Sequence, residues 1–197
     1  MVIRGGRTIA HNTDWVGFAD ALRATLPDAT GDRMVLLGAG GAGVAVGYGA
    51  LRYGAAHLDI VDQDADRAAA VAARLGALVG PDRVSSTTDL EAALAGAGGL
   101  IQATPVGMDA HPGLPLDPAL LRPDQWVADI IYFPLETELV HRVRAAGCRV
   151  MTGGAMAVHQ HVAAFRLLTG RDADIRRMQA HFEMLTGQHV ALSHSAG

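Results

Sequence analysis

Gly38-Ala39-Gly40-Gly41-Ala42-Gly43 stands directly after the apolar run Met34-Val35-Leu36-Leu37 and directly before small residues at 43–53. A short apolar run ending in glycine reads as a strand buried on both faces. Small residues after it read as a helix packed closely on that strand. The G-x-G-x-x-G pattern alone is weak. Between a strand and a helix, with a second strand Leu58-Asp59-Ile60-Val61-Asp62 beyond, it is the loop of a βαβ unit that binds a dinucleotide. The first glycine permits a tight turn, the second lets backbone N–H groups approach a pyrophosphate, and the third brings helix and sheet together. The helix then turns its positive end to the phosphates. The cofactor-binding candidates from this loop are Gly38, Ala39, Gly40, Gly41, Ala42 and Gly43.

Downstream, strand and helix continue to alternate. A helix is expected over 65–75, ended by Gly76, then a strand at Val84 and a short helix over 90–94. Strands follow at 99–103, 126–131 and 149–151, the last preceded by a helix over 138–146 that Gly147 ends. This predicts an α/β fold, a Rossmann-type doubly wound parallel sheet. Helices flank it at both ends: Trp15, Phe18, Leu22 and Leu26 recur at near-helical spacing up to Pro27, and 155–168 and 175–185 read as two successive helices. Asn12 or Thr13 caps the first of these. Val2-Ile3, Gly5-Gly6 and Thr8-Ile9 read as a short hairpin.

Asp62 closes the second strand about 20 residues after the loop, where an acid hydrogen-bonds the adenosine ribose. A carboxylate there accepts from the 2′-hydroxyl of NAD and repels the 2′-phosphate of NADP, so NAD is expected and NADP disfavoured. Gln63 follows. Arg67 is the nearest cation and reads first as a solvated helix residue; Gln63 and Arg67 complete that end of the cofactor set. The loop after the strand at 99–103 faces the nicotinamide half, which adds Thr104, Pro105 and Val106.

Composition removes other classes. A net charge of −4 gives no basic footprint for nucleic acid. No apolar run reaches membrane-spanning length. The single Cys148 excludes a disulfide framework or a Cys-rich zinc site and fits a reducing cytoplasm. His11, His111, His141, His159 and His161 are scattered over different elements without metal-ligand spacing, so no metal is expected. Ser85-Ser86-Thr87-Thr88 has no triad context. All 16 basic residues are arginine; there is no lysine.

Five segments in order, Asn12-Thr13-Asp14 with Gly17, Gly38 to Gly43, Ala103-Thr104-Pro105 with Gly107-Met108, Asp129 through Tyr132 to Pro134, and Gly153, Met156 and Gln160, resemble the shikimate dehydrogenase family, in its quinate/shikimate dehydrogenase branch. The resemblance implies hydride transfer between the C3 hydroxyl of shikimate or quinate and the nicotinamide. It implies that Asp14 is the carboxylate of a catalytic Lys-Asp pair. It also implies that Asp14, Tyr132 and Gln160 bind substrate, while Thr104, Val106 and the Met156 backbone flank the cofactor. Gln102 stands where the family usually has Asn, a change expected to shift a loop hydrogen bond without ending binding.

In that family a substrate domain of about 100 residues, an ordinary domain size, precedes the Asn-Thr-Asp segment and carries the lysine. Residues 1–30 are accordingly expected to be its remnant with a connecting helix. Residues 31–152 are the NAD-binding domain, and 153–197 are helices packing toward the substrate domain. Such a chain should bind NAD, turn over little by itself, and associate as a homo-oligomer or through apolar surface exposed around Trp15, Phe18 and the terminal helices. The alternative is a non-catalytic NAD-binding module or partner subunit. A methylenetetrahydrofolate-type dehydrogenase is disfavoured by Asp14, Tyr132 and Gln160.

Overall fold

The computed structural model describes residues 1–187 and Val190; the last part of the 153–197 segment lies outside the described residues. The chain opens with an antiparallel hairpin, β1 (Val2–Arg4) and β2 (Arg7–Ile9), that pairs with no other strand among the described residues. Helix α1 (Asp14–Thr25) follows. Then come β3 (Arg33–Leu37), α2 (Gly41–Tyr53), β4 (His57–Val61), α3 (Ala65–Val79), β5 (Val84–Ser86) and α4 (Leu90–Ala95). The second half holds β6 (Gly99–Gln102), β7 (Trp126–Asp129), α5 (Glu138–Ala145), β8 (Arg149–Met151), α6 (Gly153–Thr169) and α7 (Ile175–Thr186). Strands β3 to β8 form one parallel sheet in the order β5-β4-β3-β6-β7-β8. This is the doubly wound order, with its switch point between β3 and β6.

The apolar strands are continuous because both faces are covered. Met34, Leu36, Leu58, Ile60 and Ile101 pack under α1, α2, α3 and the start of α6. Val35, Leu37, Leu100 and Val127 pack under α4 and α5. Helix α2 lies close to the sheet at Gly47, where a Cβ would stand 3.0–3.2 Å from Leu36, Leu58 and Leu75. Side-chain oxygens cap four helices: Asp64 for α3, Asp89 for α4, Thr137 for α5 and Asp174 for α7, each contributing about 1 kcal/mol.

Several boundaries differ from expectation. Helix α3 runs through Gly76 and stops at Gly80, whose φ of +111° suits glycine. Gly76 is a packing glycine instead, since a Cβ there would meet Pro81 Cα at 3.2 Å. Helices α2 and α6 each start two residues earlier than the pattern suggested. Strands β6 and β7 end at Gln102 and Asp129, because both side chains fold back onto the loops that follow.

Helix α1 is wedged between α2 and α6. Gly49 lies against the Trp15 carbonyl, and Gly17 lies against the Gln160 backbone, with 2.7 Å from a Cβ position in both cases. Phe18 and Leu22 are fully buried as a result, each worth about 1.5–3 kcal/mol. The exposed apolar surface expected around Phe18 is therefore absent there, and half-buried Trp15 packs edge-on against Tyr48 at 5.2 Å. Exposed apolar side chains do stand on the terminal helices, at Phe165, Leu168, Met184 and Leu185. Among the described residues no helix is long and apolar enough to cross a membrane.

Candidate active site

The switch point opens a cleft of about 420 Å³ bounded by Gly38, Gly40, Asp62, Gln63, Arg67, Thr104, Pro105 and Val106. Its floor is tied together by backbone contacts. Gly38 turns with φ +104°, and a Cβ on it would stand 2.8 Å from the Ala103 carbonyl. On Gly43 a Cβ would fall 2.0 Å from the Gly38 oxygen. Gly40 and Gly41 are the opposite case, with nothing among the described residues within 4 Å of a Cβ position. They form the N-terminus of α2, where backbone N–H groups have no intrahelical acceptor. An open glycine backbone at a helix N-terminus, with a carboxylate at the end of the next strand, fits a pyrophosphate and a ribose. Ala42 and Gln63 are exposed beside it, and Ala39 is buried beneath.

Asp62 is engaged before any ligand arrives. Its Oδ2 accepts the Ala39 N–H at 2.7 Å, and its Oδ1 accepts the Asp64 N–H at 2.9 Å and the Arg67 guanidinium. Burial works against its charge, but the Arg67 guanidinium and the two backbone N–H groups outweigh it and hold the carboxyl down at about 2. The group stays an anion throughout the neutral range. Arg67 is thus not an unpaired helix residue: it reaches back over the N-cap of α3 and pairs with Asp62.

The facing wall, residues 103–106, is shaped by Gln102, which is completely buried. Its Oε1 accepts the Thr104 N–H at 2.6 Å, and its Nε2 donates to Val106 O at 2.9 Å and Thr104 O at 3.2 Å. Thr104 Oγ1 in turn accepts the Val106 N–H at 3.2 Å. In the sequence Gln102 stands out as a polar residue inside an apolar strand and as a departure from the family's Asn.

At the β7 edge, Asp129 accepts the Ile131 N–H at 3.0 Å and the Thr137 hydroxyl at 2.7 Å. Burial raises its carboxyl to about 6 against the lowering effect of these two donors. Thr137 also caps α5, so Asp129 ties the strand end to that helix. Gly107 packs against Ile131 and Thr137, and Gly153 packs against the carbonyls of Ile130 and Ile131. The loops after β6 and β7 and the first turn of α6 are thereby joined, with Met156 buried in that turn. Tyr132 and Phe133 stand outward at the rim, 58% and 60% exposed.

Asp14 and Gln160 lie on the two helices, α1 and α6, that pack against each other. Gln160 lies on Gly17, one helical turn from Asp14. Asn12 Oδ1 accepts the Asp14 N–H at 2.8 Å, whereas Thr13 makes no side-chain cap bond, so Asn12 orders the entry to α1. Among the described residues Asp14 forms no ion pair, and none of His, Cys, Asp and Glu cluster as metal ligands. His159 faces α1, and burial holds its imidazole below the usual range; among the described residues its Nε2 has no hydrogen-bond partner. His161 bonds the Ala157 carbonyl at 2.6 Å. Cys148 is buried beside the Arg122 carbonyl. Arg33, Asp59, Ser85 and His57 form a separate polar network across β3, β4 and β5, away from the cleft.

No family model matches the chain. It is 55% identical over 168 residues to a shikimate dehydrogenase (NADP(+)) of Pseudarthrobacter chlorophenolicus, which covers 84% of this chain and 57% of that protein. It is 46% identical over 163 residues to a quinate/shikimate dehydrogenase (NAD(+)) of Corynebacterium efficiens, over 82% of this chain and 57% of the relative. Among solved structures, the quinate dehydrogenase of Corynebacterium glutamicum in complex with NAD superposes with a TM-score of 0.84 at 42% identity, over 90% of this chain and 63% of that one. The chain spans little more than half the length of the curated relatives it matches. Over that span sequence and fold agree, and the matched part of the chain belongs to the shikimate dehydrogenase family.

Proposed function

We propose that this chain carries the cofactor side and part of the substrate side of an NAD-dependent shikimate/quinate 3-dehydrogenase. The observation that supports it best is the convergence at one sheet edge: open Gly40 and Gly41, the anion Asp62, the braced 103–106 loop, and Asp14 and Gln160 on the packed helices α1 and α6. Bound NAD would supply the hydride acceptor for oxidation of the C3 alcohol. The chain's own residues bind and orient. Gly38 to Gly43 hold the pyrophosphate, and Asp62 accepts from the adenosine ribose with Gln63 and Arg67 beside it. Thr104, Pro105, Val106 and Met156 flank the cofactor. Asp14 accepts a hydrogen bond from the substrate hydroxyl and helps manage its proton, while Tyr132 and Gln160 contact the substrate. With no lysine among these 197 residues, the lysine of a Lys-Asp pair comes from outside them. Relatives named for NAD and for NADP both match, so the preference for NAD rests on Asp62.

Titration of the chain with NAD and NADP, followed by turnover assays with shikimate and quinate, tests this. NAD should bind more tightly than NADP, and turnover should require added lysine-bearing protein. Tighter binding of NADP overturns the role of Asp62, and turnover by the chain alone overturns the Lys-Asp assignment. The lysine-free composition also supports a second reading, a cofactor-binding partner subunit without chemistry of its own. Under it, added lysine-bearing protein would restore nothing.

A further inference from the structure

We propose that Gln102 is a positioning residue for the cofactor: its buried carboxamide holds the 103–106 wall in the shape that receives the dinucleotide. The inference rests on the cofactor reading above. A primary amide offers two N–H donors and one carbonyl acceptor. The turn after β6 presents the matching set, with Thr104 N–H at 2.6 Å from Oε1 and the carbonyls of Val106 and Thr104 at 2.9 and 3.2 Å from Nε2. No solvent reaches Gln102, so its carboxamide is satisfied through these three bonds.

The wall it fixes is in direct contact with the glycine turn. The Ala103 carbonyl and Thr104 N lie 2.8–2.9 Å from where a Gly38 Cβ would be, and Ala103 N–H donates to Leu37 O at 2.8 Å. A shift at Thr104 would therefore move one jaw of the cleft against the other. The requirement is for a group that accepts at one end and donates twice at the other. Leucine fills similar volume without any of these bonds. An ionised glutamate keeps the acceptor but turns a second oxygen toward two carbonyls, and protonation gives back one donor.

The test is NAD titration of the chain, wild type beside Gln102→Leu and Gln102→Glu, with the thermal midpoint of each free protein recorded. Gln102→Leu should weaken NAD binding tenfold or more, with a lowered midpoint but a cooperative thermal transition retained. Gln102→Glu should bind as weakly as Gln102→Leu at pH 8 and recover toward wild type as the pH is lowered to about 5, because the protonated acid donates again. Wild-type affinity in Gln102→Leu overturns the proposal. So does a glutamate-to-wild-type affinity ratio that does not change with pH, and that series decides the matter if Gln102→Leu fails to fold. Failure of the wild-type chain to bind NAD breaks the cofactor reading instead.

Discussion

On the β3–β4 side of the sheet edge, the carboxylate and the glycine turn are already held by their own chain. Asp62 is bonded to Ala39 N–H, Asp64 N–H and Arg67, and Gly38, Gly43 and Ala103 interlock through backbone contacts. On the α1–β7–α6 side, Asp14 has no ion-pair partner among the described residues, and Tyr132 and Phe133 stand more than half exposed. The two strand-end carboxylates carry the same contrast. Asp62 is kept charged by a cation and backbone donors, while burial pushes Asp129 toward neutrality as a brace between β7 and α5. Under the proposed function the first side is a preorganised anion site, and the second is a scaffold for half-buried Asp14 and Gln160 and exposed Tyr132. A site of the first kind can bind alone, whereas one of the second kind needs further groups to define a substrate.

Gly43→Ala tests the first side hardest. The new Cβ would overlap the Gly38 carbonyl, an obstacle of backbone that no rotamer change relieves. Overpacking of this sort costs about 1–3 kcal/mol or more, so both the thermal midpoint and NAD affinity should fall sharply. A variant that melts and binds like wild type would mean that the turn is not locked as described.

Gly40→Ala separates stability from binding. The free protein has room for that Cβ and a φ of −76° that alanine accepts, so its thermal midpoint should change little. A pyrophosphate approaching the backbone would meet the methyl. Each charge-assisted hydrogen bond lost is worth about 1.5–3 kcal/mol, which predicts NAD binding weaker by about ten- to a hundredfold in calorimetric titration. Unchanged affinity would move the phosphates elsewhere.

Asp129 sharpens the contrast through pH. Its folded carboxyl titrates at about 6 against an ordinary 3.8, so the folded state holds the proton more tightly. Its contribution is then fully present below about pH 4 and is lost as pH rises through about 6. Asp129→Asn keeps an acceptor for Ile131 and should flatten the decline of thermal midpoint across that window. Asp62 has the opposite sign: with a folded value of about 2, its contribution is present above about pH 4 and lost on acidification toward 2. A wild-type minus Asp129→Asn difference without slope between pH 4 and 6 would contradict the buried brace.

The sheet was legible because its signals are local. An apolar run ending in Gly38 and small residues from Gly43 onward leave few alternatives to a strand, turn and helix. Gly76 misled for the same reason: glycine marks a helix stop and a tight packing point alike, and only Pro81 lying against it decides which. Arg67 reads as solvated until the chain's path over the α3 cap brings it back to Asp62. Phe18 was expected at an exposed surface, but the glycine approaches at Gly17 and Gly49 that bury it lie between elements far apart in sequence. Gln102 and Asp129 end apolar strands, and their bonding roles depend on how the next loop folds back.

Asp14→Asn is expected to have the smallest effect on cofactor binding, and for that reason it divides the two sides most cleanly. The residue sits in the first turn of α1, the helix that packs against α6, and is absent from the lining of the glycine-loop cleft. Removing its charge at a helix N-terminus costs about 0.3–1 kcal/mol of stability, while the Asn12 bond to its backbone N–H is untouched. NAD affinity should therefore stay within about twofold of wild type, a difference below about 0.5 kcal/mol. In the presence of lysine-bearing protein, turnover of shikimate or quinate should fall by on the order of 100-fold or more, since a general acid–base partner contributes that much. A parallel loss of NAD affinity would mean that Asp14 belongs to the cofactor side. Wild-type turnover would mean that this carboxylate has no part in the chemistry.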